Sequence, residues 1–160
     1  MIFFYIFRKF SSMKIEKEIQ TKGFYNEWHK ASVNLIYTYN WLQDQVKLFL
    51  KDYDLTYQQF NVLRILRGSH PTPISTATIR ERMLDKMSDT SRIVDRLCQK
   101  DLVIRKTCAK DKRLVDVTIS DAGLKVLEKI DQRSGELDGF LKINEKDAAK
   151  LNELLDRLRG

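Results

Sequence analysis

The chemistry this chain carries is cationic. Between Arg80 and Arg113, eleven Lys and Arg stand against six Asp and Glu, so this stretch holds five of the seven net positive charges. Guanidinium and ammonium groups at that density neutralise phosphates or anionic surfaces; they do not by themselves make or break bonds. The groups that catalysis uses are sparse: His29 and His70 are the two histidines, and Cys98 and Cys108 the two cysteines, of 160 residues. No Gly-rich phosphate loop, zinc-peptidase His pair or nucleophile elbow occurs. The cysteines have no Cys or His at ligand spacing, which points away from a zinc site or a disulfide framework and toward reduced thiols in a cytoplasm. The expectation is therefore no enzyme, no catalytic residue, no metal and no cofactor, but a binding protein with an anionic partner.

The elements that must position these charges read mostly as α-helix. From about Lys22 to Lys51, Trp28, Leu35, Leu42 and Phe49 recur every seven residues, with Ala31, Tyr39 and Val46 in the adjacent row, which predicts one long amphipathic helix. Such a helix is longer than a domain of this size needs, so part of its apolar face is expected to meet a second chain. Thr56 and Gln59 form a capping box for a helix through Phe60, Leu63 and Leu66, with Gly68 as its stop. Ser69 to Pro73 reads as a turn, and Ser75 or Thr76 caps a helix to about Leu84 with Ile79 and Met83 inward. Ser88 is expected to cap the next helix, with Ile93, Val94 and Leu97 inward and Ser91, Arg92, Asp95, Arg96 and Gln99 outward. The two together make a helix-turn-helix candidate.

Beyond Asp101 the period changes. Leu102 to Thr107 and Leu114 to Ser120 are rich in β-branched residues and read as strands around a polar loop, Cys108 to Arg113, carrying Lys110, Lys112 and Arg113. Ser120 then caps a helix with Leu124, Leu127 and Ile130 inward, and Asn144 a last one with Leu151, Leu154, Leu155 and Leu158 inward, with a break at Gly135 and Gly139. The first twelve residues, MIFFYIFRKFSS, are too short an apolar run to span a bilayer, and Arg8 and Lys9 follow it instead of preceding it as in a signal peptide. Segment 1–12 is read as a non-native or mis-assigned start extension ahead of Met13, with 13–160 forming one domain and no membrane partner. The positive surplus falls on a helix that fits a major groove and a hairpin that reaches the flanking backbone, which favours double-stranded DNA as the partner.

The order of elements and three stretches, LTYQQFNVLRIL (Leu55 to Leu66), SRIVDRLCQKDLVIR (Ser91 to Arg105) and DKRLVDVTISDAG (Asp111 to Gly123), resemble winged-helix regulators of the MarR family. The resemblance runs from about Phe24 to the C-terminus; Asp101 departs from it, standing where the family often has Gly. It implies a mostly α fold with a small β wing: a winged helix-turn-helix lobe over 55–120, and dimerisation helices over 22–51 and 121–160. It also implies a cytoplasmic two-fold homodimer on a pseudo-palindromic operator, acting as a transcription regulator and more often as a repressor. By the same match, Ser88, Thr90, Ser91 and Arg92 meet base edges and nearby phosphates, with Thr76 beside them, and Arg96 meets backbone phosphate. Lys110, Lys112 and Arg113 are the wing contacts, with Arg113 in a minor groove and Asp111 orienting it. Asp95 is expected to pair with Arg92 or Arg96.

Members of this family commonly take a small aromatic or phenolic effector, and Trp28, His29, Tyr37, Tyr39, Trp41 and Tyr57 lie in the region the resemblance implies for one. Cys98 reads as a small core residue, and Cys108 is a minor candidate for oxidation in the wing. A protein adaptor and a sequence-blind DNA compactor are the competing readings.

Overall fold

The structure, a computed structural model, describes residues 14–107 and 115–160. The chain divides into two compact units, one ending at Leu42 and the other running from Gln43 to Gly160. In the first, α1 (Ile15–Glu18) is followed by the long α2 (Glu27–Lys51), which continues into the second unit. α2 starts later than Lys22, because Gly23 has φ of +157° and the Asn26 side chain accepts the His29 backbone N–H at 2.8 Å, capping the helix there. The Tyr37 hydroxyl donates to Glu18 at 2.7 Å, and Lys30 pairs with Glu16 at 2.7 Å.

The second unit contains α3 (Tyr57–Ser69), β1 (Ile74–Ser75), α4 (Thr76–Arg82), α5 (Thr90–Gln99), β2 (Val103–Thr107), β3 (Val115–Ile119), α6 (Asp121–Asp131), α7 (Ser134–Asp138) and α8 (Glu145–Arg159). The sequence places most of these, and the capping box is present: the Gln59 N–H donates to the Thr56 hydroxyl at 3.2 Å and the Thr56 N–H to the Gln59 side chain at 3.0 Å. Gly68 does not stop α3, which runs through it to Ser69; the residue before Pro71 is disfavoured in helix, so the stop lies at His70. Likewise α4 ends at Arg82 and leaves Leu84 outside, and the short α7 occupies the stretch read as a glycine break.

A single apolar core joins the end of α2 to the helices and sheet that follow. Leu50, Val62, Leu63, Leu66, Ile79, Met83, Val94, Leu97, Val117, Leu127 and Ile130 are all essentially sealed from solvent. The antiparallel sheet has the order β1-β3-β2, with Val103 opposite Ile119, Thr107 opposite Val115 and Ile74 opposite Val117. The two-residue β1 had no period to announce it; what makes it a strand is the free edge of β3. By contrast α8 has no buried residue: Leu151, Leu154 and Leu158 are exposed and Leu155 is half-buried, so the expectation that they face inward fails within one chain.

Two tight turns set where the sheet meets the helices. At the end of α5, Asp101 has φ of 58°, its N–H donates to Cys98 O at 3.0 Å, and the Leu102 N–H reaches back to Leu97 O at 3.0 Å. This is the six-to-one and five-to-two closure that normally uses Gly, and Asp tolerates its left-handed backbone. At the start of α6, the Ser120 hydroxyl donates to Asp101 O at 2.7 Å and accepts the Gly123 N–H at 3.0 Å. A Cβ on Gly123 would lie 2.3 Å from Leu102 O and 2.8 Å from the Ile119 side chain, so the absence of a side chain lets α6 sit on the end of the sheet. Gly123→Ala is expected to destabilise the fold by about 1–3 kcal/mol, as overpacking does, measured by urea unfolding; an unchanged midpoint would contradict this close approach.

Candidate nucleic-acid interface

The helix-turn-helix is assembled from local polar bonds around a buried apolar seam. Ser75 caps α4 by accepting the Thr78 N–H at 3.1 Å. In the connection, the Leu84 N–H donates to the Asn61 side chain at 3.0 Å, tying the turn back to α3. Asp85 accepts the Met87 N–H at 3.0 Å and the Ser88 hydroxyl at 2.7 Å. These two bonds, the hydroxyl first, hold the Asp85 carboxyl below the ordinary aspartate range.

Because Ser88 is engaged by Asp85, it does not cap α5. Asp89 does, accepting the Arg92 N–H at 3.1 Å. Both residues are eligible caps by type, and only the turn's own bonding decides between them. The shift by one residue turns Thr90 inward: it is 5% exposed, with its hydroxyl 3.5 Å from the Met83 sulfur. Thr90 is therefore a packing residue, and its expected place on base edges is withdrawn.

Three of the remaining expectations gather around one concavity. Thr76, Ser88 and Ser91 line an open pocket of about 460 Å³ between the amino ends of α4 and α5. Ala77, Arg80, Met87, Asp89 and the largely buried Thr90 line it too, and of these the sequence reading missed all but Thr90 as groups of the site. Ala77 and Arg80 fall outside the apolar period of α4, which was the available signal, and Met87 lies in the connection between the two helices. Along α5, Ser91, Arg92, Asp95, Arg96 and Gln99 face outward while Val94 and Leu97 are buried. A ten-residue helix is about 15 Å long, a size that a major groove roughly 12 Å wide admits.

Charge is distributed unevenly on that face. Asp95 pairs with Arg105 of β2, not with Arg92 or Arg96 as expected, because the strand brings a guanidinium alongside the helix. Arg92 and Arg96 have no carboxylate partner among the described residues. Arg96 lies apart from the amino-end pocket, beside a larger one of about 870 Å³ between the end of α2, the start of α3 and the end of α5. There Lys100 is held by Asp54 at 2.8 Å. Lys110, Asp111, Lys112 and Arg113, together with Cys108, lie outside the described residues.

The aromatic candidates are divided between the two units. Trp28, His29, Tyr39 and Trp41 belong to the first unit, whereas Tyr57 belongs to the second, where it lines the larger pocket. His29 is stacked on Tyr25 at 4.2 Å, with Phe24 edge-on at 5.4 Å, and its Nδ1 is buried with no hydrogen-bond partner among the described residues. Cys98 is half-buried; burial, then the nearby Asp95 charge, pushes its thiol up, away from the reactive thiolate.

Because Asp85 is depressed in the folded protein, its contribution is present above the unfolded carboxylate range and is lost as pH falls through the lowered folded value. An acid titration followed through the Met87 and Ser88 amide resonances should show a midpoint below about 3.9; a midpoint at or above it would contradict the Asp85 bonds.

The MarR family model matches residues 53–114, from the end of α2 to the edge of β3. A search of curated proteins gives no match. Among solved structures, a MarR transcription factor from Planctomyces limnophilus is 30% identical, with 86% of this chain and 98% of that one covered and a TM-score of 0.61. A mutant MarR from Escherichia coli complexed with operator DNA is 24% identical, over 85% of this chain and 98% of that one, with a TM-score of 0.74. Bordetella bronchiseptica BpsR, whose DNA binding is regulated by 6-hydroxynicotinic acid, is 20% identical, over 82% and 99%, with a TM-score of 0.71. The helix-turn-helix, the three-stranded wing sheet and these matches agree: the chain belongs to the MarR family of winged-helix transcription regulators.

Proposed function

We propose that the chain is a homodimeric, sequence-specific DNA-binding regulator that represses transcription from a pseudo-palindromic operator. The observation that carries this reading is the outward face of α5, where Arg92 and Arg96 have no carboxylate partner among the described residues and Thr76, Ser88 and Ser91 share the pocket at the amino end. Ser91 and Arg92 address base edges and adjacent phosphates, Ser88 and Thr76 hold the register, and Arg96 meets phosphate further along the groove. In the wing, Lys110 and Lys112 neutralise backbone, Arg113 enters a minor groove, and Asp111 orients it.

The dimer is supported by apolar surface that neither unit covers. In the first unit Trp28 is 81% exposed and Tyr39 59%; in the second, Leu158 of α8 is 64% exposed. Segments 22–51 and 121–160 are the dimerisation helices of this reading and 55–120 the DNA-binding lobe. The repressor reading is supported by a physical argument: a dimer spanning two half-sites would occlude promoter DNA without needing an activation surface. No helix of the described residues is long and apolar enough to cross a membrane, and a cytoplasmic regulator is the matching assignment.

Release by a small aromatic effector is the second layer. It is supported by BpsR's regulation by 6-hydroxynicotinic acid, and by the buried, unpartnered His29 Nδ1 among aromatic rings. Trp28, His29, Tyr39 and Trp41 are the candidates in the first unit and Tyr57 in the second.

Selection from random duplexes at about 0.15 M salt should return an inverted repeat with half-sites about 10 bp apart centre to centre. Sequence-blind binding would replace the regulator with a compaction role, and an absence of binding would favour an adaptor. On the selected site, Arg113→Ala should weaken binding by about 1–3 kcal/mol, whereas Lys110→Ala should weaken binding to all DNA and reduce the salt slope by about one unit. A null result for both would remove the wing from the interface.

A further inference from the structure

The helix-turn-helix carries four exposed acids, Glu81, Asp85, Asp89 and Asp95; Glu81 does not line the amino-end pocket, and two of the others are engaged by the protein's own groups. Asp85 is engaged by the Met87 N–H and the Ser88 hydroxyl, and Asp95 by Arg105. Asp89 is different. Its Oδ1 accepts the Arg92 N–H, but Oδ2 accepts no hydrogen bond from any described residue, and the side chain is exposed and lines the pocket with Thr76, Ser88 and Ser91. Capping explains one oxygen only, and Ser or Asn would cap as well without bringing a negative charge to the face that meets DNA. Against phosphate that charge is repulsive. It is favourable toward a base-edge donor.

We propose that Asp89 is a specificity-determining residue that selects cytosine at one position in each half-site, by accepting a hydrogen bond from the cytosine N4 amino group in the major groove. This inference rests on the DNA-binding reading above. A carboxylate offers acceptors only, so guanine O6 and N7 and thymine O4 repel it. Adenine pairs its N6 donor with an acceptor at N7, whereas cytosine presents a donor alone. Asp89 thus acts by exclusion as well as attraction, in a surface whose Arg and Ser groups tolerate several bases.

The test is parallel selection from random duplexes with the wild-type protein, Asp89→Asn and Asp89→Ser, both of which keep a capping side chain. The wild type should return a motif with cytosine at one symmetric position, and replacing that base should weaken its binding about tenfold. Asp89→Asn should shift the preference at that position to adenine, whose N6 and N7 an amide can pair. Asp89→Ser should lose preference there alone. The same motif from all three proteins, with both variants binding every duplex more tightly for want of a negative charge, would overturn the proposal while leaving the regulator intact. No motif from the wild type would overturn both.

Discussion

Val94 and Leu97, on one stripe of α5, are buried against the core that α3, α4 and the sheet share, and what α5 shows to solvent follows from that burial. A helix of ten residues has little stability of its own, so its orientation comes from packing. With that stripe inward, Ser91, Arg92, Asp95, Arg96 and Gln99 have no choice but to face out. Rotating the helix by one residue to save a different set would expose Val94 and bury a guanidinium, at a cost of several kcal/mol. The groove-sized surface is the complement of the apolar seam.

The polar bonds then refine what packing leaves open. Asp85 takes Ser88 into the turn, which passes the cap to Asp89 and sends Thr90 inside against Met83. Asp95 is neutralised from the neighbouring strand by Arg105, so the middle of the α5 face is less acidic than its sequence implies. Neither pair is worth much as stability, since exposed ion pairs contribute little. Their effect is on placement: Arg105 offsets the Asp95 charge beside a surface whose partner is a polyanion, while Asp85, still ionised, is held in the turn by its two donors.

The same core also limits what one chain can bury. It encloses the end of α2, including Phe49 and Leu50, yet the heptad row continues back through Leu35 to Trp28, which are exposed. The leucines of α8 are uncovered in their own unit as well. Apolar area of this kind left in water is costly, at about 25 cal/mol per Å², and the proposed pairing with a second copy would cover it.

The sequence by itself determined the long helix, the Thr56 capping box, both strands of the hairpin, and the caps at Ser120 and Asn144, and narrowed the α4 cap to Ser75 or Thr76, because each is written in local period or in a side chain within hydrogen-bond reach of its own backbone. It also located the cationic surface, since charge is additive along the chain. Tertiary structure decided the rest. β1 exists only because β3 offers an edge; Asp95 finds Arg105 only because the chain folds back; and the cap falls to Asp89 only because Asp85 has taken Ser88. Gly123 was legible as the last letter of the wing motif, but its necessity lies in the Leu102 carbonyl, which a Cβ at this position would approach to 2.3 Å. Local bonds depend on neighbours in sequence, whereas these choices depend on which distant groups arrive, and only the packed chain specifies that.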